Sequence, residues 1–306
     1  KNFFFRSLLE LKLALKLIKC SKKSKSDLVF ITIPSIFLLF FIFKLKDKRL
    51  HLDIRDLVWE YVFKNKFNLK IIEFMIRKNL KFIHSLSYTN KSEFQSLLKN
   101  NFDKKKIYQI PNGVSEKKFN ELKHIKKSDS GKPTVSYIGN IGIAQSLETL
   151  IKVAKLMSGI NFNIVGDGID LSRLINLAKR NNVTNLNFTG QIAWKGVVNI
   201  YDQTDILFLQ VNPDYKTAVP SKLYEYISSG KLIIFAGGGD VINNLQEFDN
   251  IIFTEYENHN SIIKIINTHV NSQEFKNISF KNRKLINQGF IRENLIENFL
   301  YSLKEI

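Results

Sequence analysis

From Leu28 onward, short runs of strand-forming character alternate with longer stretches of helical period. The first such runs stand at 28–33, 49–54, 84–89 and 106–110, with helical stretches near 35–45, 67–82 and 91–100 between them. This is the pattern of a βαβ series, a parallel sheet whose crossovers are helices. A more regular series follows, with strands expected at 134–138, 162–165, 186–189, 206–210, 232–236 and 251–253. Its helices are expected at 146–157, 170–180, 194–202, 221–229 and 259–269. Six strands joined in this way make a Rossmann-like half. Between the two series lie Pro111, the turn pair Asn112–Gly113, and a polar, lysine-rich stretch from Ser115 to Lys132. The expected fold class is α/β, with two domains.

Amphipathic helices are expected at both ends. Near the start, Leu8, Leu11, Leu15 and Ile18 form one stripe, and Lys12, Lys16 and Lys19 lie on the other face. Such a helix suits a membrane surface or the face of a sheet. Near the end, Phe290, Leu295, Phe299 and Leu303 form an apolar stripe on one helix. The most apolar run, Leu28–Phe43, has 16 residues and is interrupted by Pro34 and Ser35. A bilayer span needs ~20, so this run reads as a buried strand followed by a helix.

Charge sharpens the division. Residues 1–130 hold 29 Lys and Arg against 12 Asp and Glu, a net +17, whereas residues 131–306 hold 17 against 16, a net +1. The basic half suits an anionic membrane, an anionic substrate or nucleic acid; lysines on solvated faces are the plain alternative. Zinc-finger spacing and aromatic-interleaved basic motifs are missing, which argues against nucleic acid. A single cysteine, Cys20, excludes an internal disulfide, and the five histidines show no H-x-x-x-H pair. A metalloenzyme is disfavoured.

Chemistry is expected where strands of the second series end. "GNIG" (Gly139, Asn140, Ile141, Gly142) follows one strand, "GDG" (Gly166, Asp167, Gly168) the next, and "AGGGD" (236–240) a later one. Such loops can bring backbone N–H groups to a phosphate, or can be ordinary turns. In "TAVPSKLYEYISSGK" (217–231), Pro220 and Ser221 read as a helix entry with Ser221 as N-cap. Lys222 then sits in the first turn, where the helix dipole disfavours a cation. A bound anion would explain it; so would a side chain bent into water. Glu225 suits the dipole by itself, or could accept hydrogen bonds from ribose hydroxyls.

In order and spacing, "IPNGV", "YIGNIGIAQSLETLI", "IVGDG", "NFTGQI" and "TAVPSKLYEYISSGK" resemble glycosyltransferase family 4. The likeness is strongest to its bacterial branch that adds amino sugars to O-antigen, capsule or related surface polysaccharides. The resemblance implies the GT-B fold, two Rossmann-like domains facing across a cleft. It divides the chain into a partial acceptor-side domain (1–112), a nucleotide-sugar domain (113–285) and a terminal helix crossing back (286–306). It also implies retaining transfer from a UDP-sugar to a lipid-linked glycan, with no metal or other cofactor, by a protein peripheral on the cytoplasmic face of the bacterial membrane. Lys222 is implied as diphosphate ligand and Glu225 as ribose ligand. The 139–142 loop would hold the diphosphate, and Gly190 and Ile192 would border the base. Arg55, with Asp56 beside it, stands where many members have a histidine near the transferred sugar, although the two could simply pair with each other. The first glutamate of the family's E-x7-E motif is replaced by Thr217. The first domain starts at what resembles its third or fourth helix, so a nucleotide-binding remnant without turnover is the alternative.

Overall fold

The computed structural model describes residues 3–33, 36–55, 70, 74–75, 78–90, 95, 107–126, 131–215, 219–238, 241–272 and 277–304. It is an α/β protein of two compact units, Lys1–Pro111 and Asn112–Ile306. In the first, helix α1 (Phe3–Lys23) precedes β1 (Leu28–Ile33), α2 (Ile36–Phe41), β2 (Arg49–Ile54), β3 (Ser85–Tyr88) and β4 (Ile107–Gln109). The strands are parallel in the order β1-β2-β3-β4. Successive strand residues face opposite sides. Leu50, Leu52, Ile54 and Leu86 therefore share a core with Ile18, Leu39 and Ile42. The helices expected at 67–82 and 91–100 fall largely outside the described residues.

Helix α1 is rotated from its expected setting. Ala14 and Ile18 are buried, whereas Leu8 and Leu15 are about 40% exposed. A small residue lets the helix approach α2 closely, so alanine rather than leucine marks the inner face.

The opposite face of the first sheet carries a buried polar chain. Ser87 donates to Asp53 Oδ1 at 2.6 Å, which commits its proton, so His51 Nε2 at 3.0 Å must donate to Ser87 Oγ. His51 Nδ1 then accepts from Ser85 Oγ at 2.8 Å. Burial lowers the His51 pKa from 6.5 to about 4, against the opposing pull of Asp53. Stability from this site is complete above pH 6.5, because the unfolded chain alone takes up the proton as pH falls. Acidification from pH 6.5 to 4 is expected to cost about 3 kcal/mol of unfolding free energy. Urea titrations across this range should show that slope in wild type and lose it in His51→Gln.

The second unit begins with α3 (Glu116–Leu122) and continues through β5 (Thr134–Ile138), α4 (Glu148–Leu156), β6 (Asn161–Val165), α5 (Leu171–Arg180) and β7 (Leu186–Gly190). Then come α6 (Trp194–Gln203), β8 (Ile206–Gln210), α7 (Lys222–Ser229), β9 (Leu232–Ala236), α8 (Val241–Leu245) and β10 (Ile251–Thr254). Helices α9 (His259–Ser272), α10 (Phe280–Gly289) and α11 (Arg292–Lys304) complete it. The sheet is parallel, in the order β10-β9-β8-β5-β6-β7. Its middle strands β5, β8 and β9 are buried at every position, as a strand covered by helices on both faces must be.

Two expectations change here. The stretch after Ser115 is not merely polar: Ser115 caps α3 by accepting from the Lys118 amide, and Phe119 and Leu122 are buried. The terminal helix does not run through Phe290, which leaves helical geometry and packs against Tyr224 and Phe248. Ile291 instead bridges Val114 in parallel. There Gly113 is obligatory, because a Cβ would lie 2.4 Å from the Phe290 carbonyl oxygen.

Candidate functional site

Strand order reverses at β5. The chain runs from β5 outward to β6 and β7, then returns to place β8 on the other side. Ligands of such sheets bind outside the carboxyl ends of the strands near this reversal, where the loops leaving β5 and β8 diverge. The ladder between them consists of Val135↔Ile206 and Ser136↔Leu207. Past it, the buried Tyr226 hydroxyl takes over: it accepts from the Ile138 amide at 2.7 Å and faces the carbonyls of Ile138 and Phe208 at 3.1 and 3.4 Å. Burial pushes its pKa well up, so it remains a donor.

The glycine loops that follow β5 and β6 lock onto each other. The amides of Gly139 and Ile141 donate to the carbonyls of Val165 and Asp167, each at 2.9 Å, and Gly166 donates to Gly190 at 3.0 Å. Gly142 donates to the Gln145 side chain at 3.0 Å. Gly166 has φ +133°, and a Cβ there would lie 1.9 Å from the Gly139 carbonyl oxygen. Beneath the loop, Tyr137 donates to the Asn140 carbonyl at 2.6 Å. Three of the four 139–142 amides thus serve the protein itself. The expectation that this loop presents its N–H groups to an anion is narrowed accordingly.

A cleft of about 410 Å³ opens over the carboxyl ends of β5, β6 and β7, and Gly139, Asn140, Gly166, Asp167, Ile192 and Lys222 are among its lining residues. Ile141, Gly142, Gly190, Pro220, Ser221 and Glu225 lie outside that lining. Thr217, and Gly239 and Asp240 of the last glycine loop, lie outside the described residues. Ser221 is not an N-cap: it is already helical, at φ −59° and ψ −27°, with no capping bond from its side chain. The turn starts at Pro220, whose carbonyl accepts from Leu223 at 3.0 Å. Asn112 of the turn pair donates to the Val219 carbonyl at 3.0 Å, fixing the entry to α7.

Lys222 has a partner that neither explanation from the sequence included. Its ammonium meets Glu225 Oε2 at 2.8 Å, one turn on. The other oxygen of Glu225 meets Lys118 of α3, also at 2.8 Å. Lys118 lies 4.5 Å over the Trp194 ring, and Trp194 Nε1 donates to Glu121 at 2.9 Å. Two ammonium groups thus flank one buried carboxylate. Lys118 and Trp194 were missed because they join the site from 107 and 31 residues before Glu225. The Ser115 cap with Phe119 and Leu122 at helical spacing was the available signal for Lys118.

In the first unit, Arg55 follows β2 and pairs with Asp53, two residues back, at 2.7 Å. It also reaches the Ile110 carbonyl at 3.4 Å. Asp56 lies outside the described residues. Asp53, anchored by Ser87, is a residue the sequence reading did not single out.

Residues 118–286 match the family described as Glycosyl transferases group 1. Among solved structures, sucrose-phosphate synthase from Thermosynechococcus elongatus is similar at a TM-score of 0.77 and 14% identity, over 96% of this chain and 78% of that one. HepE of Anabaena, solved in complex with UDP-glucose, gives 0.74 and 15% over 96% and 82%. The lipopolysaccharide outer core galactosyltransferase WaaB gives 0.66 and 13% over 100% and 82%. At these identities the likeness is one of fold, GT-B. Curated proteins yield no match.

Proposed function

The chain belongs to the group 1 glycosyl transferases, and on that premise we propose that it moves an N-acetylated amino sugar from a UDP-sugar to a lipid-linked glycan of a bacterial surface polysaccharide. In this reading the anomeric configuration is retained and no metal takes part. The observation that carries the reading is Lys222, a lysine in a first helical turn that lines the cleft over the carboxyl ends of β5, β6 and β7. HepE holds UDP-glucose and WaaB acts on lipopolysaccharide, which supports the donor and acceptor classes.

Cleavage of the bond between the anomeric carbon and the diphosphate oxygen leaves negative charge on the diphosphate. Lys222 supplies the opposing charge, and one well-placed donor of this kind is worth ~3 kcal/mol, or ~100-fold in rate. Glu225 takes the ribose hydroxyls, the loops at Gly139–Gly142 and Gly166–Asp167 border the diphosphate, and Gly190 and Ile192 border the base. Thr217, Pro220 and Ser221 contribute to the donor site, and Arg55 and Asp56 are assigned to the transfer step. Among the described residues, no helix is long and apolar enough to cross a membrane. Helix α1 exposes Leu9, Leu13 and Leu17 alongside Lys12, Lys16 and Lys19, which supports a peripheral hold on anionic lipid.

The test is release of UDP from UDP-N-acetylglucosamine in the presence of bacterial lipid-linked glycans and EDTA. Release undiminished by EDTA is expected. Release that requires added Mg²⁺ or Mn²⁺ would contradict metal independence. Binding of the nucleotide sugar with no release from any donor would leave a nucleotide-binding remnant.

A further inference from the structure

The triad Lys118–Glu225–Lys222 has an asymmetry with a functional consequence. Lys118 is held by the carboxylate on one side and by the Trp194 ring on another, and Trp194 is itself fixed through Glu121. Lys222 lines the cleft and meets Glu225 as its i+3 neighbour, with no ring contact of its own among the described residues; its side chain is 28% exposed and that of Lys118 38%, so the asymmetry lies in these contacts and not in exposure. An anion in the cleft draws on the lysine that can move. Glu225 is only 9% exposed, and a buried carboxylate stripped of all cations is strongly disfavoured.

We infer that Lys118 is the counter-ion that lets Lys222 exchange Glu225 for the diphosphate of an incoming nucleotide. Lys118 keeps the carboxylate neutralised while Lys222 turns to the anion. The departure of Lys222 also leaves Oε2 of Glu225 able to accept from the ribose hydroxyls. Lys118 is thus a positioning residue for the diphosphate, acting through Glu225 without touching the ligand. This rests on the nucleotide-binding reading of the cleft.

The exchange is specific to a ligand that carries a diphosphate, and the test uses that property. UDP and uridine binding are measured for wild type, Lys118→Met, Lys118→Arg and Lys222→Met, by calorimetry for UDP and ligand-observed NMR for uridine. Methionine keeps the aliphatic reach over Trp194 and removes the charge. Lys118→Met is expected to weaken UDP on the order of 10- to 100-fold, to leave uridine nearly unchanged, and to be rescued by arginine. Equal losses for UDP and uridine would show that Lys118 only shapes the pocket, and no loss would remove its role; either overturns the inference. Failure of wild type to bind UDP would overturn the functional reading itself, and the inference with it.

Discussion

Gly166→Ala is expected to destroy the folded state of the second unit. Three observations converge on that position. Its φ of +133° is a conformation that side chains rarely adopt, and an added Cβ would lie 1.9 Å from the Gly139 oxygen and 3.0 Å from its carbonyl carbon. The obstacle is backbone, which cannot rotate away as a side chain can, and that backbone is tied to β6 by the Gly139–Val165 hydrogen bond. Relief therefore requires the two glycine loops to part, at a cost of more than ~4 kcal/mol. Gly159→Ala is the control, since an added Cβ there meets nothing within 4 Å. Urea unfolding followed by circular dichroism should show Gly159→Ala close to wild type and Gly166→Ala largely unfolded without denaturant. A Gly166→Ala protein within about 1 kcal/mol of wild type would contradict the loop geometry.

The second large effect is on turnover. Lys222→Ala removes the cation proposed to face the leaving group yet leaves Glu225 paired with Lys118. The lost ion pair is partly exposed at its lysine and belongs to a class worth up to ~1 kcal/mol. Stability should thus change little while kcat/KM for the UDP-sugar falls on the order of 100-fold or more. The separation matters, because a residue acting only in folding would shift both together. A rate within about threefold of wild type would remove Lys222 from the chemistry.

All ten strands of the described residues were legible in the sequence: β1, β8 and β9 as short, largely apolar runs, and others, such as β2 and β6, as brief apolar–polar alternations between helical stretches. The crevice was legible too, since glycines follow β5 and β6 directly. Part of what escaped depended on partners distant in sequence. Nothing local announces that Lys118 meets Glu225, or that Tyr226 closes the gap between β5 and β8. Lys222 looked unexplained because the dipole argument considers the helix alone, whereas Glu225 one turn later supplies a counter-charge. The 139–142 loop looked like a row of available donors, but Val165, Asp167 and the Gln145 side chain engage three of its four amides. At Ser221 the preference for serine at an N-cap was overridden by a turn that begins at Pro220.

On the proposed function, a nucleoside diphosphate binds through Lys222 in the cleft over the carboxyl ends of β5, β6 and β7. Calorimetric titration of UDP into wild type and Lys222→Ala tests it most directly. One-to-one binding in wild type, weakened about tenfold or more by the substitution, is the expected result. UDP bound equally well by both proteins, or by neither, would contradict it.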